Sequence, residues 1–176
     1  MAGFKSFVPG EILSAADLMK LPQHNYVVKP SDTARANNVT IAADPHLTLA
    51  VAANTDYILD GLVRYSATNP NGGIFLGWTA PASATMEWNP GMAVSYDTQG
   101  TPAFEQQSFP VTFAANGVGL GTGGVSNGFI IVARPYGLLR VAGTAGSITM
   151  RWCQLASHAD ATVVRAGSWL RITKVS

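Results

Sequence analysis

The sequence predicts an all-β domain, an antiparallel β-sandwich or jelly roll, preceded by one short helical segment. Three observations predict it. Apolar and polar residues alternate over most of the chain after Asn25. Glycine, proline and asparagine clusters interrupt these runs at intervals of roughly 8 to 14 residues. No helical block separates one run from the next, which excludes repeated βαβ units and leaves the two-layer antiparallel architectures.

The helical segment comes first. Ser14 is a natural N-cap, and Asp17 three residues on can reach back to the cap's backbone N–H. Leu13 before the cap and Leu18 after it match a hydrophobic staple, and Pro22 stops the helix after about two turns. A helix that short is marginal in water, so it needs a surface from the β core or from another chain. The chain therefore divides into an N-terminal attachment segment, residues 1–24, and a β-sandwich domain, residues 25–176.

The strands follow in order. Val39 and Ile41 form one run and Leu47, Leu49 and Val51 the next, with Ala43-Asp44-Pro45-His46 read as a turn between them. Tyr57, Leu59, Gly61, Val63 and Tyr65 share one face of the clearest strand; Ile58, Asp60, Leu62 and Arg64 share the other, with Asp60 facing solvent beside Arg64. Ile74 to Thr79 and Ala84 to Trp88 read as short strands around Pro81, and residues 89–108 as an irregular excursion. Val111–Ala115, Phe129–Ala133, Gly137–Ala142, Ser147–Leu155 and Thr162–Val175 complete the set, with Gly143-Thr144-Ala145-Gly146 as a hairpin turn that uses glycine for positive φ.

Composition removes several function classes. Charged residues are 12% of the chain, about half the roughly 25% usual for soluble domains. With a net charge of +1 there is no run of Lys and Arg to release counterions, so neither nucleic acid nor an anionic membrane is an expected partner. Cys153 is the only cysteine, which excludes an intrachain disulfide framework and a multi-cysteine metal site. Gly119, Gly121 and Gly124 fit the spacing of a dinucleotide loop, but the apolar run from Phe129 follows them rather than a helix N-terminus. Asp44-Pro-His46 and His158-Ala-Asp160 pair imidazole with carboxylate without a third ligand, and default to exposed loops. No nucleophile motif and no matched carboxylate pair is present, so the chain is expected to be no enzyme and to carry no metal or cofactor.

The aromatic and arginine residues are the better candidates. Trp78, Trp88 and Tyr96 are candidate platforms for stacking on a sugar ring, with core filling as the alternative. Arg140, Arg151, Trp152, Arg165, Trp169 and Arg171 concentrate arginine and tryptophan in the C-terminal strands of a chain short of charge, which marks a candidate subunit interface.

Two stretches carry a resemblance. Phe7-Val-Pro-Gly10-Glu-Ile-Leu13-Ser-Ala-Ala-Asp17-Leu18 resembles the opening, F/W-x-x-G-x-x-L-T/S-A-A-D-L-N, of tail and virion-surface proteins of tailed bacteriophages, especially those of actinobacteria. Gly143-Thr-Ala-Gly-Ser-Ile-Thr-Met-Arg151-Trp152-Cys-Gln154 with Ala161-Thr-Val-Val-Arg165-Ala-Gly167-Ser168-Trp169-Leu170-Arg171 is similar to the ending of the same group. The chain departs from the pattern at Met19, where Asn is usual, and at Cys153, where Ala is usual. The resemblance implies a structural virion component, a capsid decoration, head fibre or minor tail protein, made in the bacterial cytoplasm and assembled as a trimer. Phe7, Pro9, Gly10, Ile12, Leu13, Ser14, Asp17 and Leu18 would attach it to major capsid or tail proteins, and a host surface glycan is the alternative partner.

Overall fold

The computed structural model describes residues 9–10, 12, 14, 23–67, 73–91, 94–96, 102–104, 109–111, 118–120 and 130–175, with backbone alone for the short strands between 94 and 120. The expected helix after Ser14 lies outside the described residues, as do Phe7, Leu13, Asp17 and Leu18.

Everything regular among the described residues is strand. In chain order these are β1 (His24–Val28), β2 (Thr33–Arg35), β3 (Ala42–Val51), β4 (Thr55–Ala67), β5 (Ile74–Thr79), β6 (Thr85–Asn89), β7 (Val94–Tyr96), β8 (Pro102–Phe104), β9 (Phe109–Val111) and β10 (Val118–Leu120). Then come β11 (Ile131–Ala133), β12 (Tyr136–Val141), β13 (Gly146–Cys153), β14 (Thr162–Val164) and β15 (Trp169–Lys174). The larger sheet runs β1-β15-β4-β12-β6-β9, with β11 and β14 also on β4 and β2 on β14; the smaller runs β10-β5-β13-β3; β7 and β8 pair apart. All pairings are antiparallel.

β4 organises the larger sheet because its alternation is the cleanest in the chain. Its odd-numbered residues from Tyr57 to Tyr65 are buried, while Ile58 and the three even-numbered residues after it are at least partly open to solvent. Buried residues of both sheets form one core: Leu47, Leu49 and Val51 of β3 and Ile148, Met150 and Trp152 of β13 from the smaller, Leu59 and Val63 of β4 and Leu170 and Ile172 of β15 from the larger. Close backbone approach fixes two details. A Cβ on Gly137 would meet the Cβ of Trp88 at 2.8 Å and the Glu87 carbonyl, so glycine lets Trp88 pack where β12 crosses β6. Gly167, at φ 78°, turns the chain between β14 and β15.

Three sequence expectations are corrected. The Asp44-Pro45 turn is instead part of a continuous β3, because β3 is an edge strand in which a proline need donate to no neighbour. Thr48 pairs with Thr149 and Ala43 with Arg151, so Asp44 to Leu47 bulge opposite Met150 alone, and Asp44 points into the protein. The Gly143–Gly146 stretch is no hairpin: β12 belongs to the larger sheet and β13 to the smaller, so this connection crosses between layers. The single strand expected over Thr162–Val175 breaks in two, since Gly167 has positive φ and the Ser168 hydroxyl donates to the Arg165 carbonyl at 2.8 Å.

Candidate interaction site

The outward face of the larger sheet departs most from what a solvated sheet surface should be. Strand register lays Tyr26, Arg171, Asp60 and Tyr136 in one row across β1, β15, β4 and β12. His24, Thr173, Ile58 and Leu138 form the next row, which Glu87 of β6 extends. Val28, Trp169 and Leu62 form a row on the other side. Tyr26 is 71% exposed, Val28 and Ile58 50% each and Tyr136 49%, while Leu62, Leu138 and Trp169 are half-buried beside them. Exposed apolar side chains scattered singly are ordinary; several in adjacent rows of one sheet face make that face a candidate interaction surface.

Three arginines of this face are paired with carboxylates, whereas Arg64 of β4 donates to the Ala166 carbonyl at 3.0 Å. Arg171 grips Asp60 with two bonds, Nε to Oδ1 at 3.1 Å and Nη2 to Oδ2 at 2.5 Å, which raises the guanidinium's pKa. Arg140 donates to Glu87 at 3.1 Å. Arg165 donates to Ser66 Oγ on the same face of β4 at 2.7 and 3.1 Å, and to Asp32 at 2.8 Å. The Asp32 carboxyl is held below its ordinary range first by the Ala166 N–H and then by Arg165. Exposed pairs of this kind add little stability. They do allow those three arginines to be covered without being stranded.

The structure thus brings Arg140, Arg165, Trp169 and Arg171 together on one face and separates the other two candidates. Arg151 lies on the smaller sheet, donating to the Ile41 carbonyl at 2.9 Å. Trp152 is fully buried; its indole donates to Asp44 Oδ2 at 3.0 Å and Arg35 stacks 4.2 Å from its ring centroid, so it is core and not contact surface. Trp78 and Trp88 are likewise core: they are buried, with ring centroids 5.6 Å apart and edge to face, and offer no open ring to a sugar. The side chain of Tyr96 is outside the described residues. Pro9 and Gly10 form a turn, Ile12 is 91% exposed and Ser14 is exposed.

Behind this face is a buried polar cluster that the sequence did not disclose. Lys29 Nζ donates to Asp44 Oδ1 and Oδ2 at 2.9 and 2.8 Å, to Thr33 Oγ1 at 2.7 Å, and lies 3.1 Å from His46 Nδ1. Both members of the ion pair have side chains closed to solvent. Asp44 also accepts from the backbone N–H of His46 and Leu47. Burial raises the Asp44 pKa, but Lys29 and the His46 N–H outweigh it and the net shift is downward. Asp44 is therefore no exposed loop residue. His158 Nδ1 accepts from the Asp160 N–H at 3.0 Å within a local turn. Among the described residues no three His, Cys, Asp or Glu side chains group as metal ligands.

Sequence reasoning found the arginines and Trp169 but missed Tyr26 and Tyr136. The available signal was on β4, whose Ile58 and Leu62 make the solvent-facing half of the alternation half apolar.

No protein-family model matches the chain, and no curated protein matches it in sequence. Among solved structures, a chain of infectious bursal disease virus Gt strain aligns over 97% of this chain and 42% of its own, at 12% identity and a TM-score of 0.25. A chain of the Gx strain aligns over 87% and 40%, at 12% identity and a TM-score of 0.26. The VP2 subviral particle of the same virus aligns over 88% and 41%, at 7% identity and a TM-score of 0.25. This chain thus spans about two fifths of the length of those chains, and superpositions at such TM-scores carry no argument about fold or function.

Proposed function

We propose that this chain is a non-enzymatic structural component of a tailed-bacteriophage virion, a capsid decoration, head fibre or minor tail protein. Its N-terminal segment attaches it, and its β-sandwich domain assembles with further copies, in the first instance as a trimer. One observation carries the assembling role: the outward face of the larger sheet sets Tyr26, Val28, Ile58 and Tyr136 open to solvent among three arginines whose charges are already paired. Covering it removes apolar area from water at a gain of about 25 cal/mol per Å² and strands none of the three paired arginines. The opening and closing motifs support the virion setting, and the low charge suits a surface built to be covered. Location in the virion, with synthesis in the bacterial cytoplasm, belongs to the same reading.

The test is the protein content of purified particles. Quantitative mass spectrometry of gradient-purified phage made by cells expressing the chain should find it in stoichiometric copies, retained through high salt. Its absence from particles, with the folded chain left free in the lysate, would overturn the virion reading. The glycan alternative is weakened by the burial of Trp78 and Trp88.

A further inference from the structure

We infer that Lys29 and Asp44 condense into an intramolecular isopeptide bond, Lys29 Nζ to Asp44 Cγ, with loss of one water. The ion pair described above is the state from which the bond forms.

Three features of the buried cluster lead to this reaction. The first is contact without competing solvent. Lys29 Nζ lies 2.9 Å from Asp44 Oδ1 and 2.8 Å from Oδ2, and both side chains are closed to solvent. A nitrogen so placed against both oxygens is within roughly 3 to 3.5 Å of the carboxyl carbon, the range of a near-attack contact. Thr33 Oγ1 accepts from the same ammonium at 2.7 Å and helps to hold it there. The backbone on each side is fixed as well. The Lys29 N–H donates to the Ser168 carbonyl at 2.7 Å and the Lys29 carbonyl accepts from the Gly167 N–H at 2.9 Å, while Asp44 sits in the bulge of β3.

The second feature is that the two carboxylate oxygens have different partners. Oδ1 accepts from the backbone N–H groups of His46 and Leu47 at 3.0 and 3.2 Å, a fixed pair of donors of the kind that stabilises an oxyanion. Oδ2 accepts from the Trp152 indole at 3.0 Å and is the oxygen that leaves. The third is a base. His46 Nδ1 lies 3.1 Å from Lys29 Nζ, and because an ammonium can only donate, Nδ1 is the acceptor.

The steps balance within the cluster. The resting pair is ionised, in keeping with the downward net shift of Asp44. One Nζ proton passes to Oδ2 along the 2.8 Å bond and converts the ion pair into an amine and a carboxylic acid, a neutral pair that a dry interior penalises less than separate charges. The amine lone pair attacks Cγ, and negative charge collects on Oδ1. His46 Nδ1 takes a second proton from Nζ and returns it to Oδ2. The Cγ–Oδ2 bond breaks, Oδ2 departs as water, and one N–H remains on the new amide. Nothing is oxidised or reduced. The bond ties the residue after β1, the edge of the larger sheet, to β3, the edge of the smaller, and no backbone ladder joins these two sheets among the described residues.

The experiment is mass spectrometry of the full-length chain. The folded wild type should be one water lighter than its sequence, and trypsin should release residues 21–35 and 36–64 as a single branched peptide joined through Lys29 and Asp44. Lys29→Met and Asp44→Ala should each keep the full sequence mass. His46→Ala retains the backbone donor to Oδ1 and so tests the ring alone. Followed in chain made by cell-free synthesis, it should form the bond at least about 100-fold more slowly than the wild type, and added imidazole should recover part of the rate. A folded wild-type chain that stays at its full sequence mass overturns the inference. So does a lost water that persists in Lys29→Met or that maps to another aspartate. A His46→Ala chain that reacts at the wild-type rate overturns the role of His46 as base. The branched peptide is read from the wild-type chain, so the decision does not depend on any variant folding.

Discussion

Removing the Asp44 carboxylate should cost more stability than any surface change in this protein, and the structure supports a magnitude. Asp44→Ala strands the Lys29 ammonium, whose side chain is closed to solvent, with Thr33 Oγ1 and His46 Nδ1 as its remaining partners. Removing one partner of a buried ion pair costs about 3 to 5 kcal/mol. The Trp152 indole N–H and the N–H groups of His46 and Leu47 lose their acceptor as well, at about 1 to 3 kcal/mol for each that stays dry. A domain of this kind has only about 5 to 15 kcal/mol in total, so the variant should be at the edge of unfolding at room temperature. Adding Lys29→Met removes the stranded charge, and the double variant should be more stable than Asp44→Ala by at least about 1 kcal/mol. Urea unfolding followed by tryptophan fluorescence reads the cycle, with Trp152 itself in the cluster. If the double variant lost the sum of the two single losses, the account of Lys29 and Asp44 as one coupled unit would be refuted. The pH dependence has a defined sign. The folded-state pKa of Asp44 lies below its unfolded value, so protonation favours the unfolded chain. The contribution is fully present above the ordinary carboxylate range near about 4 and is lost as the pH falls through the depressed value.

Two further predictions follow from packing. Tyr65 is fully buried, its hydroxyl has no hydrogen-bond partner among the described residues, and burial pushes its pKa well above the usual phenol range. Tyr65→Phe should therefore be neutral or stabilising by up to about 1 to 2 kcal/mol in urea unfolding, and a clear loss would show a partner for that hydroxyl. Gly137→Ala places a methyl group against Trp88 and the Glu87 carbonyl and should lose about 1 to 3 kcal/mol; an unchanged thermal midpoint would contradict the close crossing of β12 and β6.

Much of this fold is legible in the sequence because strand alternation is a local signal. The β4 pattern, the solvent-facing side of Asp60 and the extents of β5 and β6 all come from a period of two and the turn residues around it. Asp60 shows where that signal stops: it shares a face with Arg64 as expected, but its ion-pair partner is Arg171, 111 residues away. The candidate site was legible in the same partial way. Arg140, Arg165, Trp169 and Arg171 could be singled out by composition, while which of the six C-terminal candidates share a face depends on which sheet each strand joins. Arg151 and Trp152 are adjacent to each other in β13 and leave the set for opposite reasons, one turned out on the smaller sheet and one turned into the core.

The sequence by itself determined the all-β class, the low charge and the period-two faces of the long strands. Each depends on composition or on neighbours a few residues apart. Only the tertiary structure decided that Pro45 runs through an edge strand, that Lys29 and Asp44 neutralise each other in the interior, and that Tyr26, Ile58 and Tyr136 meet on one open face. These features depend on register and sheet order, which bring together residues 15 to more than 100 positions apart, and no local period encodes such distances.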